Sequence, residues 1–162
     1  MESRAALGGV GTYVLVLHLE QPQALAVGSL GIFPLPAGFY TYVGSAMGSG
    51  GLTARLGHHR KISRRPHWHI DYLRQVAALK HIWVLDSSAR REHDWAALLG
   101  DMPGATILVP RFGASDCRCT THLYYFANAP TVSEFQNQNA HRFPGDGHIN
   151  ELHPQQAAGY LK

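Results

Sequence analysis

The run GTYVLVLHL at Gly11–Leu19 limits the fold more than any other stretch. Its residues are apolar at nearly every position rather than at alternate ones, which is the pattern of a central strand covered on both faces. A chain with such a strand must supply a packed layer on each side of it. At 162 residues the sequence is long enough for one domain with a substantial core and too short for two. Hydrophobic residues make up 45% and charged residues 15%, and no apolar run reaches membrane-spanning length. The expectation is a single α/β (α+β) domain over residues 8–127, followed by a polar, extended or mobile tail at 128–162. The domain should hold a small, mainly antiparallel sheet flanked by three helices, with a C-terminal β extension. The start, MESRAALGGVG, lacks the basic segment and apolar core of a secretory signal, so a cytoplasmic protein with no membrane partner is expected.

Residues 38–61, GFYTYVGSAMGSGGLTARLGHHRK, join a second strand to a helix through a glycine-rich break. Phe39-Tyr40-Thr41-Tyr42-Val43 is aromatic and β-branched, as buried strands are. Residues 44–51 then hold four glycines and two serines, which lets the backbone turn and approach a ligand closely. In the following helical pattern Leu52, Arg55, Leu56 and His59 fall at i, i+3, i+4 and i+7. Arg55 and His59 therefore share the core-facing stripe, where polar groups need a partner or a task. A nucleotide-phosphate loop is excluded as the explanation, because no Gly-Lys-Ser/Thr ending is present.

Between the first two strands, residues 21–28 read as a turn and short strand, and residues 32–38 as an irregular return. Pro66 opens a second helical pattern with Ile70, Leu73 and Val76 or Ala77 inward. KHIWVL at 80–85 is a third strand, and Asp86-Ser87-Ser88 supplies an N-cap for a third helix ending near Gly100. On that helix Glu92, Trp95 and Leu99 lie at i, i+3 and i+7, in line with the apolar face. Glu92 then either needs a metal, an arginine or a rim of water, or it sits in the first turn and complements the helix dipole. Residues 105–109 and 123–126 read as two more strands.

The order of Gly11-Thr12-Tyr13, Tyr42-Val43-Gly44, Arg55 and His59 resembles the two signatures and first helix of the GIY-YIG nuclease superfamily. The longer strings PAGFYTYVGSAMGSGGLTARLGHH, HWHIDYL and FGASDCRCTTHL are similar to its Uri-type endonuclease branch. The resemblance covers most of residues 11–126. It implies a GIY-YIG-like fold and a metal-dependent endonuclease that hydrolyses phosphodiester bonds in DNA, in repair or processing. It also places Tyr13, Tyr42, Arg55, His59 and Glu92 on one active face. Glu92 would hold one divalent ion, Mg2+ or Mn2+, because a carboxylate with retained waters suits hard cations. Arg55 would give phosphate a forked contact, and Tyr42 would deprotonate the attacking water with its phenol pushed toward phenolate by nearby cations. Tyr13 would position water or share the proton, and His59 would move a proton or bind phosphate. Many relatives carry a lysine just after the second signature, where this chain has Ser45, so His59 or Arg60 would have to compensate.

Charge distribution points the same way. The net charge is +3, and Arg55, Arg60, Lys61, Arg64, Arg65 and Arg74 crowd a region with a single acid, Asp71. Arg60, Lys61, Arg64 and Arg65 are candidate nucleic-acid contacts, against a solvated helix face as the plainer reading. Two other functions stay open: a non-catalytic nucleic-acid-binding domain on the same scaffold, and a zinc protein using His67, His69, Cys117, Cys119 and His122. The spacing C-x-C-x2-H offers no fourth ligand, so a packed cysteine pair is the stronger reading of Cys117 and Cys119.

Overall fold

A computed structural model describes residues 9–155. Strand β1 (Gly11–Leu19) lies at the centre of a five-stranded antiparallel sheet. Its neighbours are β4 (Gly38–Ala46) and β5 (Ala78–Asp86), with β6 (Leu123–Phe126) and β7 (Asn150–Leu152) at the two edges. The connection from β1 to β4 folds into a separate two-stranded hairpin, β2 (Gln23–Val27) and β3 (Gly31–Leu35). Residues 32–35 are thus paired rather than irregular, and the β1–β4 register still runs unbroken from Gly11 opposite Ala46 to Leu19 opposite Gly38.

Four helices cover the sheet among the described residues. Helices α1 (Gly51–Arg60) and α2 (His69–Arg74) lie on one face, and α3 (Glu92–Asp101) and α4 (Val132–Arg142) on the other. The alternation of side chains along β1 feeds two cores. Tyr13, Leu15, Leu17 and Leu19 pack with Tyr40, Tyr42, Leu52, Leu56, Ile70 and Leu73. Val14 and Val16 pack with Val43, Trp83, Trp95, Leu98, Leu99 and Phe135. Both faces of the strand are dry, as its unbroken apolar run requires.

Several boundaries differ from expectation. Helix α2 begins three residues after Pro66, because the Asp71 carboxylate accepts the N–H groups of His67 and Trp68 and holds those residues in a turn. Helix α3 starts at Glu92 rather than after Ser88. The Ser87 hydroxyl accepts the Ala89 N–H in a local turn instead of capping a helix. Residues 105–109 form only a single bridge, Thr106 to Tyr125, and no strand.

The largest correction concerns residues 128–155, which are folded onto the domain rather than extended as a tail. Thr131 and Glu134 form a reciprocal capping box that starts α4. From α4, Phe135 stacks on Trp83 at 5.3 Å and meets Trp95 edge-on at 4.8 Å, while Asn139 accepts the Trp95 indole N–H at 2.9 Å. Arg91 clamps Asp146 with two bonds of 2.7 Å, and β7 completes the sheet edge beside β5. The domain therefore runs through Leu152 with four helices, and residues 156–162 lie outside the described part.

Candidate active site

At the end of the sheet where β4 gives way to the glycine-rich turn, a polar cavity of about 360 Å³ opens between α1, α2, α3 and the loop at 110–122. Tyr42, Ser45, Arg55, His59, Trp68, Glu92 and Asp116 line it. Helix α3 packs on the opposite face of the sheet from α1, yet Glu92 is its first residue and reaches round the end to the same space. Both readings of Glu92 thus meet: it stands at a helix N-terminus and on the rim of the cavity. A larger depression of about 470 Å³, lined by Pro22, Gln23, Ala24, Pro34, Leu35 and Pro36, carries no group able to move a proton or hold phosphate.

Arg55 is fixed on two sides. It donates to the Ser45 carbonyl oxygen at 3.0 Å, and its guanidinium lies 4.7 Å from the centre of the Trp68 ring. It also lies close enough to Tyr13 for its charge and a hydrogen bond to oppose the rise of that phenol, and it lines the cavity. Tyr13 does not line the cavity. It is buried behind it, its hydroxyl 2.6 Å from Nε2 of the buried His59, which forms the back wall and is held in place by Tyr13. Gly44 makes that placement feasible, since a Cβ there would come within 2.5 Å of the Tyr13 hydroxyl oxygen. Gly113 does the same for Tyr42: its φ is +68°, and a Cβ would meet the ring at 2.8 Å.

The electrostatics depart from expectation. Burial first, then the charge of Glu92, raises the Tyr42 phenol well above its ordinary value, and Arg55 lowers it only in part. Tyr13 is raised by burial and by Tyr42. Neither phenol is pushed toward phenolate by the protein's own cations. His59 cannot compensate for Ser45, because burial lowers it to about 3 and keeps it neutral. The Ser45 hydroxyl instead faces the Glu92 carboxylate at 3.5 Å. Glu92 itself is raised, chiefly by burial, with His93, Ser45 and Arg55 opposing and Asp116 adding to the rise.

The HWHID segment braces this cavity. Trp68 underlies Arg55, His69 Nδ1 accepts the Gly113 N–H at 2.7 Å, and Asp71 ties His58 at 2.8 Å to the turn before α2. Burial would raise the Asp71 carboxyl, but the Trp68 and His67 N–H groups and His58 outweigh it and hold it low. Arg74 is structural, bonding the carbonyls of His59, Arg60 and Ala77. Lys61, Arg64 and Arg65 are exposed on the connection between His59 and Trp68, two cavity-lining residues, and form no ion pair among the described residues. Arg60 is half-buried.

Asp116 carries no signal of its own in the sequence, because it stands in an irregular loop whose approach to the cavity no periodicity records. With Glu92 it places two carboxylates on one cavity, an oxygen donor set that fits a hard divalent cation. No helix among the described residues is long and apolar enough to cross a membrane.

The site and fold together define a mixed α/β domain with a cavity built from the end of β4, the glycine-rich turn that follows it and residues of α1 and α3. The sequence model of DUF123, a domain of unknown function, matches residues 12–144, and the chain belongs to that family. No curated protein and no solved structure matches it.

Proposed function

We propose that the protein is a metal-dependent endonuclease of the GIY-YIG type that cleaves phosphodiester bonds in DNA. The observation that carries this reading is the convergence of Tyr42, Arg55, His59 and Glu92, from three separate elements, on one polar cavity. Their order in the sequence is that of the superfamily the chain resembles.

Each side chain has a task that its surroundings support. Arg55, held flat against Trp68, offers a planar, permanently charged fork to a phosphate. Neutral His59 and Tyr13 form a hydrogen-bonded pair that fixes the back wall. Tyr42, protonated in the protein alone, donates its hydroxyl to orient the phosphate or the attacking water. Glu92 and Asp116 would hold Mg2+ or Mn2+. That ion would offset phosphate charge, stabilise the departing oxygen and cancel the Glu92 charge that raises the Tyr42 phenol. The exposed Lys61, Arg64 and Arg65 would follow the backbone beside the cavity.

A binding domain without catalysis is the second reading, favoured by Ser45 and by the raised phenols. The two separate on a panel of labelled single-stranded, duplex and branched DNA and RNA, incubated with Mg2+, with Mn2+ or with chelator. Metal-dependent cuts in DNA support the nuclease. Salt-sensitive binding with every substrate intact supports the second reading instead.

A further inference from the structure

The loop at 110–122 brings together a set of donors that the spacing C-x-C-x2-H left one short. The fourth is His93, the second residue of α3. One ligand atom from each of His93, Cys117, Cys119 and His122 lies within 4.8 Å of all the others. Bonds of about 2.0–2.3 Å to a tetrahedral metal require ligand atoms roughly 3.3–3.8 Å apart. Cys117 Sγ and His122 Nε2 are already 3.4 Å apart.

The loop is built to present these groups. Arg111 adopts a left-handed backbone, φ +67°, and turns its guanidinium onto the carbonyl oxygens of Ala114, Cys117 and Cys119. The backbone is tied further by Arg111 N–H to the Thr120 carbonyl, His122 N–H to the Phe112 carbonyl and Val43 N–H to the His122 carbonyl. Both thiols are free. A depression of about 220 Å³, lined by Glu92, His93, Asp116, Cys117 and His122, gives access from solvent.

One buried atom of this cluster is left to be tied down once the opposite nitrogen of its ring is engaged. His122 is 1% exposed, and its Nδ1 is buried with no hydrogen bond, 3.6 Å from Glu92 Oε2. A buried ring nitrogen without a partner is costly unless the ring is held in one tautomer for a purpose.

We propose that His93, Cys117, Cys119 and His122 bind one Zn2+, and that His122, ligating through Nε2, turns its Nδ1–H onto Glu92. Two thiolates and two imidazoles select zinc over the hard cations that suit the Glu92–Asp116 pair. Binding releases the two thiol protons to solvent, both histidines ligate as neutral rings, and the filled site carries no net charge. The His122 Nδ1–H then gives Glu92 a fixed donor, the arrangement in which a carboxylate orients a metal-bound histidine. The zinc is structural: it fastens the loop to the start of α3 and sets the angle of Glu92 on the cavity rim. It does not depend on whether the cavity cuts DNA.

The test uses the full chain, untagged and kept reduced. Elemental analysis after dialysis against a weak chelator should find one zinc per chain. Cobalt exchanged into the site should show thiolate-to-metal charge transfer and the strong visible bands of a tetrahedral ion. Cys119→Ser should lose the charge-transfer band and the retained zinc, with far-ultraviolet circular dichroism recording whether it still folds. Glu92→Gln should keep the spectrum but weaken zinc binding about 10- to 100-fold. The proposal is overturned if reduced wild-type protein, stripped of zinc by a strong chelator and then given Co2+, shows only the weak spectrum of the hydrated ion, a result that does not depend on any variant folding. It is equally overturned if folded Cys119→Ser retains as much zinc as the wild type.

Discussion

Replacing His59 with glutamine should flatten the acid side of the protein's stability curve. His59 is 1% exposed and touches Tyr13, Tyr42, His58 and Trp68. After burial itself, the charges of His58, Arg55 and Arg74 oppose its protonation, and Asp71 favours it without prevailing. Burial is the largest cause and lowers it from 6.5 to about 3. The unfolded chain therefore binds a proton on this residue before the folded one does. Its contribution to stability is complete above the unfolded value and is lost as pH falls from there toward the folded value. At about 1.4 kcal/mol per pH unit, charging it inside the fold costs about 5 kcal/mol, a large share of the 5–15 kcal/mol that a domain has. Urea unfolding from about pH 7 to about pH 4.5 should show the variant losing about 2–3 kcal/mol less stability than the wild type. The variant's stability at neutral pH does not enter this comparison, because only the slopes are compared. Parallel curves would refute the claim that this ring is held neutral inside the fold.

Other consequences are simpler to state. Phe135→Ala should cost about 3–5 kcal/mol in chemical denaturation, as a filled aromatic contact with Trp83 and Trp95 requires; no change would mean that α4 is not part of the core. Arg55→Lys should lower cleavage roughly 10- to 100-fold, since lysine keeps the charge but not the fork or the seat on Trp68. Wild-type rates in that variant would remove Arg55 from phosphate contact. Tyr42→Phe should slow cleavage about 10²- to 10³-fold while DNA affinity stays level, the range for losing one preorganised donor that acts in the transition state. A matching fall in affinity would make Tyr42 a binding residue only.

The parts of the fold legible in the sequence are those where apolar density leaves one solution. Strand β1 is buried on both faces, and the stripe Leu52, Arg55, Leu56, His59 turned inward as its period requires, because sheet and helix pack through local, regular patterns. Residues 128–155 read as a tail but fold onto the sheet, because a few buried anchors, Phe135, Asn139, Ile149 and Leu152, are spread through a polar segment. Average composition hid them, although the Thr131-x-x-Glu134 box was a usable sign of a helix start. The candidate site divides in the same way. Tyr42, Arg55, His59 and Glu92 were legible through their order. Asp116 and His93 were not, since they enter through a loop and a helix end whose approach no periodicity records. The phenols could not be read from sequence either: their ionisation depends on burial and on the distance to Glu92, which only packing sets.

The cavity's role is tested most directly by comparing Glu92→Gln with wild type on labelled DNA in Mg2+ or Mn2+, with binding measured in parallel. The account predicts that the variant binds DNA as the wild type does and leaves it uncut. Equal cleavage by the two proteins would contradict it, since the carboxylate on the rim would then have no part in the reaction.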